Sequence, residues 1–302
     1  MSVLVVGSVA FDSVETPFGA AEEVLGGSAT YFAVAASYFT PVRLVGVVGE
    51  DFPQEHEALL RRHGVDTAGL ARRPGRTFRW RGRYGYDLNE AHTLETQLGV
   101  FADFAPQLPP AYRTTPYVFL ANIDPEVQLQ VLEQVQAPRF VACDTMNFWI
   151  EGKREALLAT LRRVDYLLLN EAEARALAQE PNTIRAGRRI LQLGPRAVII
   201  KRGEYGVLYL TPQSCFFAPA YPLEEVFDPT GAGDAFAGGF MGALARNGAL
   251  DAAAIKRAIL YGSAMASFNV EDFSLRRLTR LTPAEIEQRV AEFQRFVTIE
   301  EL

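Results

Sequence analysis

The residues with the clearest chemical potential lie late in the chain, in Asp228-Pro229-Thr230-Gly231-Ala232-Gly233-Asp234-Ala235-Phe236. This segment stands between a strand-like region and a run with helical spacing. Its glycines remove side chains where a ligand must approach the main chain. The N–H groups of Gly231, Ala232 and Gly233 then face an anion from a helix N-terminus. Such donors, with the partial positive charge of the helix end, suit a phosphoryl group that gains charge in transit. Asp234 does not suit a site that only binds phosphate, because a carboxylate repels that ligand. It suits a base that takes the proton of an attacking hydroxyl, and with an ordinary pKa of about 3.9 it is ionised at neutral pH. Taken alone, Gly231–Asp234 also reads as a tight turn whose aspartate caps a helix. Two rival phosphate motifs fail: G-x-G-x-x-G needs glycine where Phe236 stands, and no G-x-x-x-x-G-K-[ST] loop occurs.

The elements that must position these groups follow from periodicity. Apolar or β-branched runs predict strands near Val3–Gly7, Val42–Val48, Tyr117–Ala121, Arg139–Cys143, Tyr166–Leu169 and Ala197–Lys201. Helical spacing follows most of them, at 28–39, 53–63, 125–136, 153–162, 171–179 and 183–193. Continuous apolar strands alternating with helices predict an α/β fold, a mainly parallel sheet covered on both faces. Asp124-Pro125 has the pattern of an N-cap followed by a first-turn proline, and Thr282-Pro283-Ala284-Glu285 that of a capping box. The last third predicts a hairpin near 205–218, then helices over 232–246, 252–268 and 283–296. The first of these is rich in Ala and Gly, so it can lie very close to its neighbours.

The stretch 76–101 breaks the alternation. Phe78, Trp80, Tyr84 and Tyr86 stand at even spacing with polar residues or Gly between them, which reads as strands with one polar face. Together with Phe11–Phe18 they predict a small sheet standing off the core. No internal repeat or interdomain linker interrupts the chain, so residues 1–302 read as a single domain, a size at which α/β folds keep one core.

Four further motifs occur in order: Gly7-Ser8-Val9-Ala10-Phe11-Asp12 after the first strand, Gly26-Gly27-Ser28-Ala29-Thr30 opening the first helix, Asn170-Glu171-Ala172-Glu173, and Gly203-Glu204-Tyr205-Gly206. With Asp228–Asp234 they resemble, over most of the chain, the motifs of the ribokinase-like (PfkB) carbohydrate kinases. The resemblance implies a doubly covered, mainly parallel ribokinase-like sheet with a small β lid from about 11–18 and 76–101. It implies ATP and Mg²⁺, with Asp234 as catalytic base, the amides of Gly231, Ala232 and Gly233 as anion hole, and Asn170 and Glu173 holding Mg²⁺ through waters. Ordinary helix capping is the alternative for that last pair.

Lys201, Gly203, Gly206 and Thr230 fall on the nucleotide side; either Lys201 or Arg202 is within reach of a phosphate, and a surface role suits one of them equally. Gly262–Val270 forms part of an adenine pocket on the same resemblance. Asp12, Gly26 and Gly27 take positions that hold acceptor hydroxyls, and one carboxylate can grip a vicinal diol. Ser28 is a further contact or the helix N-cap. Asn122 and Asn147 are substrate contacts or turn and cap residues. Ribokinases commonly carry Asn where Tyr31 stands, which weakens a claim for ribose.

The acceptor so implied is a small sugar or polyol, with a nucleoside as the alternative if Tyr31, Phe11 or the lid aromatics line an apolar slot. A sensor without catalysis is disfavoured by the intact Asp234, Gly231–Gly233, Asn170 and Glu173. The lid aromatics read as lid packing or a dimer contact, and a homodimer through the lid is expected.

Composition sets the remaining bounds. The apolar share of 49% is that of a globular protein, and a formal charge of −6 offers no basic surface for nucleic acid. The two cysteines sit in apolar surroundings and read as buried reduced thiols. His56, His63 and His92 lack metal-ligand spacing, and the first two read as surface helix residues. No signal peptide or membrane-length apolar run is present, so a soluble cytoplasmic protein is expected.

Overall fold

A computed structural model describes residues 1–297. In chain order the elements are β1 (Val3–Val6), β2 (Ala10–Thr16), β3 (Gly19–Gly26), α1 (Ser28–Ser37), β4 (Val42–Val48), α2 (Gln54–Arg62), β5 (Val65–Arg72), β6 (Phe78–Tyr84), β7 (Ala91–Gln97) and β8 (Tyr117–Leu120). There follow α3 (Pro125–Gln134), β9 (Phe140–Asp144), α4 (Asn147–Gly152), α5 (Arg154–Leu161), β10 (Tyr166–Asn170), α6 (Glu171–Ala178), α7 (Thr183–Leu191) and β11 (Ala197–Lys201). The last elements are β12 (Val207–Leu210), β13 (Cys215–Ala218), α8 (Ala232–Asn247), α9 (Ala252–Asn269) and α10 (Pro283–Val297).

Nine strands form one sheet in the order β13-β12-β11-β10-β9-β8-β1-β4-β5. All neighbours from β11 to β5 pair in parallel, and only the β11–β12 and β12–β13 pairs are antiparallel. The strand side chains alternate between two buried layers. Val3 and Val5 join a core with α1, α8 and α9, while Leu4 and Val6 join another with α3, α5, α6 and α7. Burial on both faces is why these strands are apolar throughout rather than alternating. Each such side chain contributes roughly 1.5–3 kcal/mol when fully buried.

The Ala- and Gly-rich α8 lies backbone to backbone against its neighbours. A Cβ on Gly238 would stand 2.3 Å from the carbonyl oxygen of Phe32 in α1, and one on Gly239 2.8 Å from that of Tyr261 in α9. Helix starts follow local chemistry. Asp124 accepts the Glu126 N–H at 2.9 Å, and Thr282 and Glu285 each accept the other's main-chain N–H.

A second sheet, in the order β3-β2-β6-β7, is made from residues 10–26 and 78–97. Val14, Ala21, Trp80 and Tyr84 pack from it onto Phe227 and Phe273 of the main body. Its root is clamped by Arg79, whose guanidinium meets Glu23 at 2.7 Å and Asp51 at 2.8 Å and lies 4.9 Å above the Phe11 ring. β7 is exposed along its whole length.

Four details differ from the sequence expectations. β3 and β5 carry charged or small residues at most of their positions, which hid them. Cys215 is exposed, because β13 is an edge strand with little above it, whereas Cys143 is buried. His56 is half-buried, with its ring 5.9 Å from Phe11 and 5.6 Å from Phe52. Ser28 is not an N-cap: Gly27 takes that place, in a conformation with φ 95° that suits glycine.

Candidate active site

Glycine at 231 is required by the backbone. It caps α8 in the left-handed region, at φ 76°, and a Cβ there would stand 2.4 Å from the Tyr31 ring. The turn before it is tied down by Asp228, whose two carboxylate oxygens accept the Thr230 N–H at 2.8 Å and the Ser274 N–H at 3.3 Å. Asn269 donates to the Thr230 carbonyl at 2.7 Å. The Ala232 N–H is engaged by the Pro229 carbonyl at 3.1 Å. Among the described residues, the N–H groups of Gly231, Gly233 and Asp234 have no backbone acceptor, so these are the donors left for an anion.

Asp234 sits in the first turn of α8, partly open to space, with no hydrogen bond or ion pair among the described residues. Burial, then the charges of Asp144 and Asp12, push its carboxyl up to about 7 against the opposing pull of Lys201. Asp144, Asn170 and Lys201 are the last residues of β9, β10 and β11, three parallel neighbours, so the sheet delivers them side by side at its C-terminal edge. Lys201 Nζ stands 3.0 Å from Asp144 Oδ2 and only 2.8 Å from where a Cβ on Gly233 would be. Arg202, by contrast, turns outward to Glu171 at 3.3 Å and beside the exposed Tyr205 ring. Asn170 and Glu173 form a reciprocal capping box for α6, at 2.7 and 2.8 Å. Glu173 is nonetheless buried, and burial and the Asp144 charge push its carboxyl up to about 7.

The residues expected to hold the acceptor gather around Asp12 on β2. Its carboxylate lies directly over Gly26, where a Cβ would stand 1.9 Å from Oδ2, and it accepts from the Gly27 N–H and, at 3.5 Å, from the Tyr31 hydroxyl. Burial, and then the Asp228 charge, push Asp12 up to about 7, with the Gly27 and Tyr31 hydrogen bonds opposing. Trp80 pairs opposite Asp12 in the sheet and so shares its face. Phe11, one residue earlier, turns to the other face. Ser28 spends its hydroxyl on Ser8, which ties α1 to the end of β1 at 3.0 Å.

On the nucleotide side, Gly203 and Gly206 have φ of 55° and 84°. The amide of Asn89, in the β6–β7 connection, fills the space beside Gly203, and Tyr84 meets the Thr230 hydroxyl at 3.3 Å. The small sheet thus reaches the main body at both loops. Asn122 accepts from Trp149 Nε1 at 3.0 Å and Asn147 is exposed at the start of α4; neither shares a hydrogen bond with Asp12 or Asp234. Sequence reasoning gave Asp144 no role of its own and took Trp80 only as a lid aromatic.

A family model described as pfkB family carbohydrate kinase matches residues 2–280. The chain is 30% identical over 256 residues to a cytidine kinase of Thermococcus kodakarensis, covering 83% of this chain and 91% of that one. Its fold matches a Burkholderia thailandensis nucleoside kinase solved with inosine, at TM-score 0.76 and 20% identity over 96% and 98% of the two chains. It also matches an aminoimidazole riboside kinase from Salmonella enterica, solved with aminoimidazole riboside and an ATP analogue, at TM-score 0.76 and 21% identity over 96% and 100%. The chain therefore belongs to the PfkB carbohydrate kinases, phosphotransferases that act on an alcohol group with ATP as donor.

Proposed function

We propose that the enzyme phosphorylates a hydroxyl of a nucleoside, with Asp234 as general base and the free N–H groups at the start of α8 as anion hole. One observation carries this reading: among the described residues, a carboxylate without a partner stands beside unpaired main-chain donors and a half-buried lysine. Such a carboxylate is available to an incoming hydroxyl, and the donors face the phosphoryl oxygens. Asp12 and the Gly26-Gly27 main chain would grip sugar hydroxyls. Trp80 and Tyr84, on the small sheet, would wall an apolar slot for a base. The cytidine kinase relative supports this acceptor class over a free sugar or polyol, the second reading.

Gly203, Gly206, Thr230 and Lys201 would lie along the nucleotide. The small sheet would act as a lid over a single domain, excluding water from the transfer. Its exposed outer strand β7 offers an edge for a second copy of the chain. Free cysteines fit a cytoplasmic setting. No described helix is long and apolar enough to cross a membrane.

The residues present fit Mg²⁺ held by water and phosphate. Among the described residues no three acidic, His or Cys side chains converge into a cage. Glu173 nonetheless offers one carboxylate oxygen beyond the capping box, in a buried cluster whose mutual repulsion a cation would relieve. Asn170 and Glu173 would hold the cation through water, and its chemistry there would be to offset the charge of the ATP phosphates.

ADP formation from ATP and Mg²⁺ should be assayed against cytidine, adenosine, inosine, ribose, fructose and myo-inositol. Turnover with a nucleoside is expected. Turnover confined to sugars or inositol would favour the second reading, and none with any acceptor would count against the proposed site.

A further inference from the structure

Asp144 has been given no role in the site so far, yet its carboxylate is firmly anchored there. Its side chain is 6% exposed. One oxygen accepts the Thr145 N–H at 2.8 Å, the other meets Lys201 at 3.0 Å, and its carbonyl accepts from the buried Gln128 amide at 3.1 Å. The pair reaches across the end of β10, since β9 and β11 flank that strand. The ammonium thereby rests against the bare main chain of Gly233, where a side chain would displace it.

Resting on the reading of Gly231–Asp234 as the transfer site, we propose that Lys201 is the cation that meets the phosphoryl group in transit and that Asp144 is the residue that positions it. In the transfer, the acceptor oxygen bonds to the γ-phosphorus as the bond from phosphorus to the β–γ bridging oxygen breaks. The acceptor's proton passes to Asp234, and ADP leaves with the electron pair of the broken bond. The non-bridging oxygens then face Lys201 and the N–H groups of Gly231 and Gly233.

A lysine ammonium is a point charge on a flexible stem, so its position is set by its partners. The neighbouring carboxylates are Glu173, already committed to the α6 cap, and Asp234, which is unpaired. Without Asp144, the ammonium would turn to Asp234 and neutralise the base. With Asp144, the cation and the base stay separate. Burial works against the charged lysine, but Asp144, Glu173 and Asp234 outweigh it and hold its pKa up, so it stays cationic.

The test is a kinetic double-mutant cycle on the full chain, with ATP and whichever acceptor of the panel is turned over. Lys201→Met should lower kcat about 100-fold. Asp144→Asn should lower it about 10- to 100-fold, with KM for both substrates within about threefold. In the double variant the loss should match Lys201→Met alone, because Asp144 acts through the lysine. Losses that multiply, or a normal kcat in Asp144→Asn, would overturn the assignment.

If Asp144→Asn does not fold, Lys201→Met decides alone. Partial rescue of its kcat by methylammonium supports the proposal, and a full kcat without rescue defeats it. Retained turnover in Asp234→Asn, with both other variants impaired, would instead discard the base and leave the pair standing.

Discussion

At the proposed phosphate end of the site, four consecutive residues, Gly231 to Asp234, present main-chain donors and the proposed base from the start of one helix packed tightly against α1 and α9. At the acceptor end, Asp12, Gly26, Tyr31 and Trp80 arrive from β2, β3, α1 and β6, three of them on the small sheet. Phosphate chemistry is common to every substrate of such an enzyme and can be built into backbone. Acceptor recognition must fit one molecule, and side chains on a separable sheet serve that better. The ends meet where the Tyr31 ring lies under Gly231 and its hydroxyl reaches Asp12.

The comparison breaks most visibly at Gly231. Gly231→Ala adds a side chain at positive φ and against Tyr31, so the proposed anion hole must shift. Turnover should fall about 100-fold or more, as for loss of an anion-hole donor. A variant with normal kcat would mean that the backbone there is not part of the reaction. Asp12→Asn should act at the other end alone. It removes a charged hydrogen-bond acceptor worth about 1.5–3 kcal/mol, so KM for the acceptor should rise about 10- to 100-fold while KM for ATP holds. Equal effects on both KM values would erase the division between the ends.

The smallest effect is on stability. Asp12, Asp234 and Glu173 are each raised to about 7 in the folded chain, from ordinary values of 3.8 and 4.5. Between those limits the folded protein holds protons that the unfolded chain has released. Stability of the ligand-free enzyme should therefore fall as pH rises from about 4 to 7 and level off above. The melting temperature should drop by several degrees between pH 5 and pH 7.5, and Asp12→Asn should flatten that slope. A melting temperature that rises over the range would contradict the burial that raises these acids.

The phosphate end was legible because its chemistry is contiguous. Gly, Gly and Asp within one turn announce themselves by spacing, and the helix that follows is marked by its own Ala and Gly. The parallel core was legible for a similar reason, since burial on both faces leaves an unbroken apolar run such as Val3–Val6 or Tyr117–Leu120. Asp144 was not. Nothing local distinguishes it from any aspartate closing a strand, and its meaning lies in Lys201, on the next strand but one. Trp80 was seen as a lid aromatic, but its register opposite Asp12 depends on β2 and β6 pairing in parallel, which no local pattern encodes. β3 and β5 were missed because their exposed faces dilute the strand signal.

The central claim is that the unpaired carboxylate of Asp234 takes the acceptor's proton. Its most direct test is the rate of acceptor-dependent ADP formation by Asp234→Asn beside its affinity for ATP measured by calorimetry. The account predicts a fall in kcat of about a thousandfold with ATP affinity nearly unchanged. Turnover close to that of the unsubstituted enzyme would contradict it.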